Sequence, residues 1–211
     1  MTPSDGLSAV VLGYMGVRLV QGANRARSTD GRRQVLDIVR GLRWRHVWPV
    51  PLVLAAVVGV ATALMALPGL SWGWWNALGG SGNPVFGSSS ATAGTALEWL
   101  LPLVFMVLLI PGLPLFAQAE ERMFRAGAEH WSTSRRALKV LQFGCVHALI
   151  GIPIGAALAL SIGGAYFMAV YLATYRRTHS THDATLESTR AHTAYNAVIV
   201  VVVIVSVVLG A

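Results

Sequence analysis

The sequence predicts an all-α integral membrane protein, a polytopic helix bundle of about five transmembrane helices, six if an N-terminal stretch also crosses. Apolar residues make up 55% of the 211 and charged residues 12%, with a mean hydropathy of +0.59, above the usage of soluble domains. The apolar residues also run in long unbroken blocks, the signature of segments solvated by hydrocarbon. Arginines then cluster between alternate blocks, which orients the chain.

Residues 7–17 are eleven uncharged positions before Arg18. Crossing ~30 Å of hydrocarbon takes about 20 residues, so this stretch is expected to lie at the interface or re-enter rather than span. From Arg18 to Arg45 there are eight arginines against Asp30 and Asp37, nearly all of the net +7. Within that run, "RRQVLDIVRGLRWRH" places Val35, Val39 and Leu42 on one face, a basic amphipathic helix suited to anionic lipid. Residues 1–47 thus form a cytoplasmic or interfacial basic segment. Residues 48–67, twenty without a charge, are the first span. Residues 67–94 hold no Lys or Arg and are rich in Gly, Ser and Trp, an external loop that completes a 48–96 unit.

The remaining bundle occupies 97–211. Residues 99–117 are nineteen uncharged positions; 137–175 are thirty-nine whose charge is Lys139 alone, room for two spans with a turn near Gly151, Pro153 and Gly155; 195–209 are the last span. Basic segments at 18–45, 122–136 and 176–190 put the N-terminus in the cytoplasm and the C-terminus outside. Trp44 and Trp48 suit the inner interface, and Trp72, Trp74 and Trp75 the outer one. The N-terminus lacks a basic n-region and cleavage site, so no signal peptide is expected.

Several functions are disfavoured. A pI near 10.5 would fit a nucleic-acid binder, yet arginines flanking spans account for it and no recognition motif accompanies them, so no nucleic-acid partner is expected. Cys145 is the single cysteine; on a helix His147 lies about 200° around from it, which argues against a Cys–His pair. No GxSxG or HExxH occurs, "HSTHD" at 179–183 reads as a polar connection, and neither a metal nor another cofactor is expected. A proton-coupled transporter is less attractive without an internal repeat.

Three polar sets stand at membrane depth, where an unpaired titratable group is costly. In "EERMFR", Glu121 and Arg125 are i and i+4 with the acid first, while Glu120 points about 100° away. One carboxylate is neutralised and its neighbour is left to face something else. In "FGCVH", Phe143 and His147 share a face, with His147 ~16 Å beyond Arg136. In "HTAYN", His192 and Asn196 share a face at the start of the last span. Drawn together by a bundle, Glu and His can hold and polarise a water, and His and Asn can donate to an oxyanion. That equipment suits amide hydrolysis without a covalent intermediate. Spacing alone does not choose between Glu120 and Glu121 as the base.

In this order, Glu120-Glu121-Arg122-Met123-Phe124-Arg125, Phe143-Gly144-Cys145-Val146-His147 and His192-Thr193-Ala194-Tyr195-Asn196 resemble the EExxxR, FxxxH and HxxxN/D motifs of the CPBP family. That family comprises the CAAX prenyl proteases and bacteriocin-processing or immunity (ABI) proteins. The resemblance covers roughly residues 97–210. It implies an intramembrane glutamic endopeptidase acting on a membrane-associated or lipidated peptide or protein, with its site toward the cytoplasm. Glu120 would activate water beside His147, Glu121 and Arg125 would support the site, Phe143 would pack against it, and His192 and Asn196 would stabilise the oxyanion. The chain departs from the pattern at Ala126, where family members often carry Gly, and in having fewer spans than prenyl proteases. A non-catalytic membrane immunity or interaction protein of the same family is the alternative.

Overall fold

The computed structural model describes residues 3–77 and 94–209; most of the expected external loop lies outside them. Among the described residues every regular element is helical. Helix α1 (Pro3–Arg27) is one continuous 25-residue helix rather than a re-entrant turn. Ser28 caps α2 (Thr29–Arg40), its Oγ accepting from Gly31 N at 3.2 Å. The buried stripe of α2 runs through Gly31 and Ile38, with Val35 and Leu42 half-buried, whereas Val39 is 44% exposed. The expected face was therefore off by one position at Val39: spacing 31–35–38–42 also fits a helical stripe, and packing against α1, α7 and α11 selects it.

Helices α3 (Trp44–Val47) and α4 (Val50–Met65) make the first span, with Pro49 and Pro51 at the start of α4, where a missing N–H costs little. Val50, Val57 and Ala61 form its buried stripe, while Leu52 and Val58 stay more than half exposed, as a lipid-facing helix allows. After a short α5 (Trp74–Ala77) the next described helix is α6 (Leu97–Leu109). Pro111 and Pro114 then break the ladder into a 3-10 turn at Ile110–Gly112 before α7 (Leu113–Phe124). Gly22 of α1 meets this turn so closely that a side chain there would strike the Phe116 ring.

Gly127, at φ 86°, ends the span in the left-handed region that glycine accepts readily. Ser132 caps α8 (Thr133–Cys145), which tightens into 3-10 at Val146–Ile150. The chain reverses at Gly151 (φ 92°), where a turn was expected, into α9 (Ile154–Ala159) and α10 (Ser161–Thr178). Left-handed His179 leads to α11 (Thr181–Leu209), whose helix begins well before the expected residue 195.

Among the described residues four stretches are long and apolar enough to cross a membrane: Trp44–Met65, Leu97–His130, Ile154–Thr178 and Thr181–Ser206. The first of the two spans expected within 137–175 is not among them, because the helix that carries it, 133–150, holds Arg135, Arg136 and Lys139 in its first two turns. It still reaches from one end of the bundle to the other. At its far end Leu149 O accepts from Trp74 Nε1 at 3.2 Å, and just beyond it Ile154 N and Gly155 N donate to Trp72 O and Leu70 O at 3.0 and 2.7 Å. Thirteen α and five 3-10 residues rise ~30 Å, a bilayer's apolar thickness. The protein is thus a helical membrane bundle, with Phe124, Phe143, Phe167 and Tyr195 at the core where α7, α8, α10 and α11 meet.

Candidate functional site

Successive residues on a helix diverge by 100°, and α7 uses this to give its two glutamates opposite environments. Glu121 is fully buried. Its Oε1 accepts from Arg125 Nη1 at 2.7 Å and from His192 Nδ1 at 2.8 Å, and its Oε2 meets Ser188 Oγ. Ser188 Oγ also lies 2.9 Å from Phe167 O, so its one proton serves one of these acceptors at a time. Both oxygens of Glu121 thus face donors, Arg125 and His192 at Oε1 and Ser188 at Oε2.

Arg125, 1% exposed, completes that arrangement. Its guanidinium carbon sits 4.3 Å from the Phe143 ring centre, 5.3 Å from Phe167 and 6.0 Å from Phe124, a cation held by three aromatic faces. Its Nη2 donates to Gly164 O at 3.4 Å. Close approach makes this possible: a Cβ on Gly164 would lie 2.8 Å from Phe143 Cδ1, and one on Gly144 would run into Ala157 O. Small residues bring α8 against α9 and α10 and so seat Phe143.

Phe143 meets four neighbours edge-on: Phe124 (5.6 Å), Phe167 (5.9 Å), His147 (5.2 Å) and His192 (5.5 Å). His192 is stacked on Phe167 at 4.3 Å. Its Nδ1 is committed to Glu121, and its Nε2 lies 3.7 Å from Glu120 Oε2. His192 therefore bridges the two glutamates, a position the oxyanion role implied by the resemblance does not describe. His147 Nδ1 donates to Phe143 O at 2.8 Å, since a carbonyl can only accept. In the neutral ring this leaves Nε2 as an acceptor.

Glu120 differs from Glu121 in the decisive respect. Its side chain is 33% exposed, yet its Oε2 is buried and has no hydrogen-bond partner. It lines a cavity of about 390 Å³ together with Phe143, His147, His192, Tyr195 and Asn196. Most of the remaining wall is apolar, from α1, α6 and α11. The three motifs thus share one space: Glu120, His147, His192, Asn196 and Phe143 line it, while Glu121 and Arg125 brace it from behind. Among the described residues no three His, Cys, Asp or Glu side chains converge as a metal-ligand set.

Several contributors were missed by sequence reasoning. Ser188 stands one turn before His192 on the same stripe as Asn196, so 188–192–196 spacing could have found it. Tyr195, 3% exposed with an unpartnered hydroxyl, belongs to the quoted motif but received no role. Phe167 and the α1 wall (Tyr14, Met15, Arg18 and Leu19) have no local signal; only tertiary packing brings them in. Compared with known proteins, the chain matches no family model, no curated sequence and no solved structure.

Proposed function

We propose that the chain is an intramembrane endopeptidase in which Glu120 activates a water against a peptide carbonyl. One observation carries this reading: Glu120, whose Oε2 has no hydrogen-bond partner, lines a cavity with two histidines, while the carboxylate of its neighbour Glu121 is paired with Arg125 and His192. A carboxylate left without donors costs free energy unless something occupies its side, and water is the simplest occupant.

In the proposed reaction a water in the cavity donates one hydrogen bond to Glu120 and a second to His147 Nε2. Glu120 takes the proton as the oxygen attacks the carbonyl carbon. The Asn196 amide and the Tyr195 hydroxyl are the donors available for the developing oxyanion. Proton return from Glu120 to the leaving nitrogen completes the cleavage. Glu121 and Arg125 act through His192, whose Nδ1–H they fix and whose Nε2 they aim at Glu120. The arginine clusters support a cytoplasmic N-terminus, with this cavity opening toward the inner leaflet, and the apolar wall suits a membrane-associated or lipidated substrate.

The test compares membrane peptidomes of cells making the native chain, Glu120→Gln or His147→Ala. Loss of the general base is expected to lower cleavage roughly 10²–10⁴-fold at unchanged membrane abundance. Full cleavage by Glu120→Gln would sink the proposal. If that variant instead keeps the protein's cellular effect without cleavage, the apolar cavity works by binding, as an immunity or interaction protein would.

A further inference from the structure

Arg18, an exposed residue of α1, lines the cavity, and the proposed chemistry does not use it. Among the described residues that line the space it is the sole Arg or Lys. Its one hydrogen bond is a long contact of 3.4 Å to Gln21 on its own helix. No carboxylate lies within ion-pairing distance of it among the described residues, although Glu120 lines the same cavity.

Its depth is set by the crossing of α1 with the broken span. Gly22, one turn after Arg18, packs on Gly112 and Phe116, near the middle of the 34-residue stretch Leu97–His130. Met15 and Leu19, on the same side of α1, share the cavity with Phe105 and Met106 of α6. Arg18, one turn before Gly22, therefore lies beside the middle part of that apolar stretch. A cation lining an apolar cavity beside such a stretch calls for an anionic partner. The guanidinium fork matches a carboxylate in a bidentate manner, with a gain in both energy and orientation.

We infer that Arg18 is a specificity residue that receives a carboxylate of the peptide substrate, so the preferred substrate carries a negative charge into the cavity with its scissile bond. The inference rests on the endopeptidase reading for the word substrate, but the binding it describes is separable from cleavage. The carboxylate comes from a peptide's C-terminus or from an acidic side chain, and both present the same two oxygens.

The test uses the full chain in nanodiscs of phosphatidylcholine, free of anionic lipid. The probes are dansylated libraries of apolar decapeptides in three forms: C-terminal acid, C-terminal amide, and amide with one internal Glu. Binding is read by fluorescence anisotropy on Glu120→Gln protein, and cleavage by mass spectrometry on protein with Glu120 intact. The expected result is roughly tenfold or tighter binding of a carboxylate-bearing library over the neutral amide, the scale of one charge-assisted contact. Whichever of the two carboxylate libraries shows it identifies the source. Arg18→Gln should erase the difference and Arg18→Lys should keep part of it, since charge remains but the fork is lost. Equal binding of all three libraries, or a preference that survives Arg18→Gln, overturns the inference. Should the first be a misfolded variant, unmelted and unretained on sizing, the three-library comparison on Arg18 protein decides alone. Carboxylate preference without cleavage of any library would remove the endopeptidase reading and leave the anion site standing.

Discussion

At Glu121 three side chains, Arg125 at the end of α7 and Ser188 and His192 of α11, converge on one carboxylate, and the energetics follow from how dry that place is. Glu121 and Arg125 are 0% and 1% exposed. Taking one charge away leaves the other in a low-dielectric interior with incomplete compensation. Arg125→Met is therefore expected to destabilise the fold by roughly 3–5 kcal/mol, read as a shift in denaturant midpoint in micelles. The double replacement Glu121→Gln with Arg125→Met should recover much of that loss, because neither charge then stays buried. A single-variant cost under about 1 kcal/mol, the size of an exposed pair, would show that the site is wet. This motif was legible because the i, i+4 rule is local: EExxxR, FxxxH and HxxxN could be read with no knowledge of neighbours. The division of labour between Glu120 and Glu121 was not. A 100° step says that two residues diverge, but only the position of α11, carrying Ser188 and His192, says which one is sealed.

Helix α8 shows why elements were less legible than residues. Its first turns hold Arg135, Arg136 and Lys139, so its hydropathy falls short of a span, yet its turn at Gly151 is hydrogen-bonded beside the far end of the first span. What holds such a helix in the bundle is close packing, and here glycine provides it. A methyl group at Gly144 would overlap Ala157 O and Ser161, and backbone cannot yield as a side-chain tip can. Gly144→Ala should push α8 outward, cost about 1–3 kcal/mol as overpacking does, and move Phe143 away from Arg125 and His192. Thermal unfolding measures the first effect. The second appears as faster bimane labelling of Cys145, already exposed, only if α8 detaches wholesale; loss of stability with unchanged labelling matches a local shift. No loss of stability would mean that α8 is free to slide. Elsewhere the element boundaries shifted for equally physical reasons. The third basic segment continues as helix into α11 because residues 184–194 are buried or half-buried against α7 and α10, which composition alone does not reveal.

Across the molecule, the basic N-terminal segment is fastened to the site-bearing helix by one carboxylate. Glu187 Oε1 takes hydrogen bonds from His46 Nε2 and Arg45 Nε, both at 2.8 Å, and its Oε2 lies 3.3 Å from Arg190 Nη1; Arg190 Nη2 in turn donates to Asp37 O at 3.1 Å. Because His46 Nδ1 accepts from Arg43 N at 2.9 Å, its Nε2 carries the proton that Glu187 receives. The partners do not contribute equally. Arg45 is 59% exposed, so solvent screens most of its share, whereas His46 is 3% and Glu187 9% exposed. Breaking the His46–Glu187 contact should cost about 2 kcal/mol, the range for a hydrogen bond to a charged group, while losing Arg45 should cost well under about 1 kcal/mol. The Arg43–Trp44 peptide bond lies in the fastened segment and reports its release. Trypsin should cut it roughly 30-fold faster in Glu187→Ala, where 2 kcal/mol is converted at tenfold per 1.4 kcal/mol, and less than about threefold faster in Arg45→Ala. Equal acceleration in the two variants would mean that the exposed arginine, not the buried histidine, holds the N-terminal segment on the bundle.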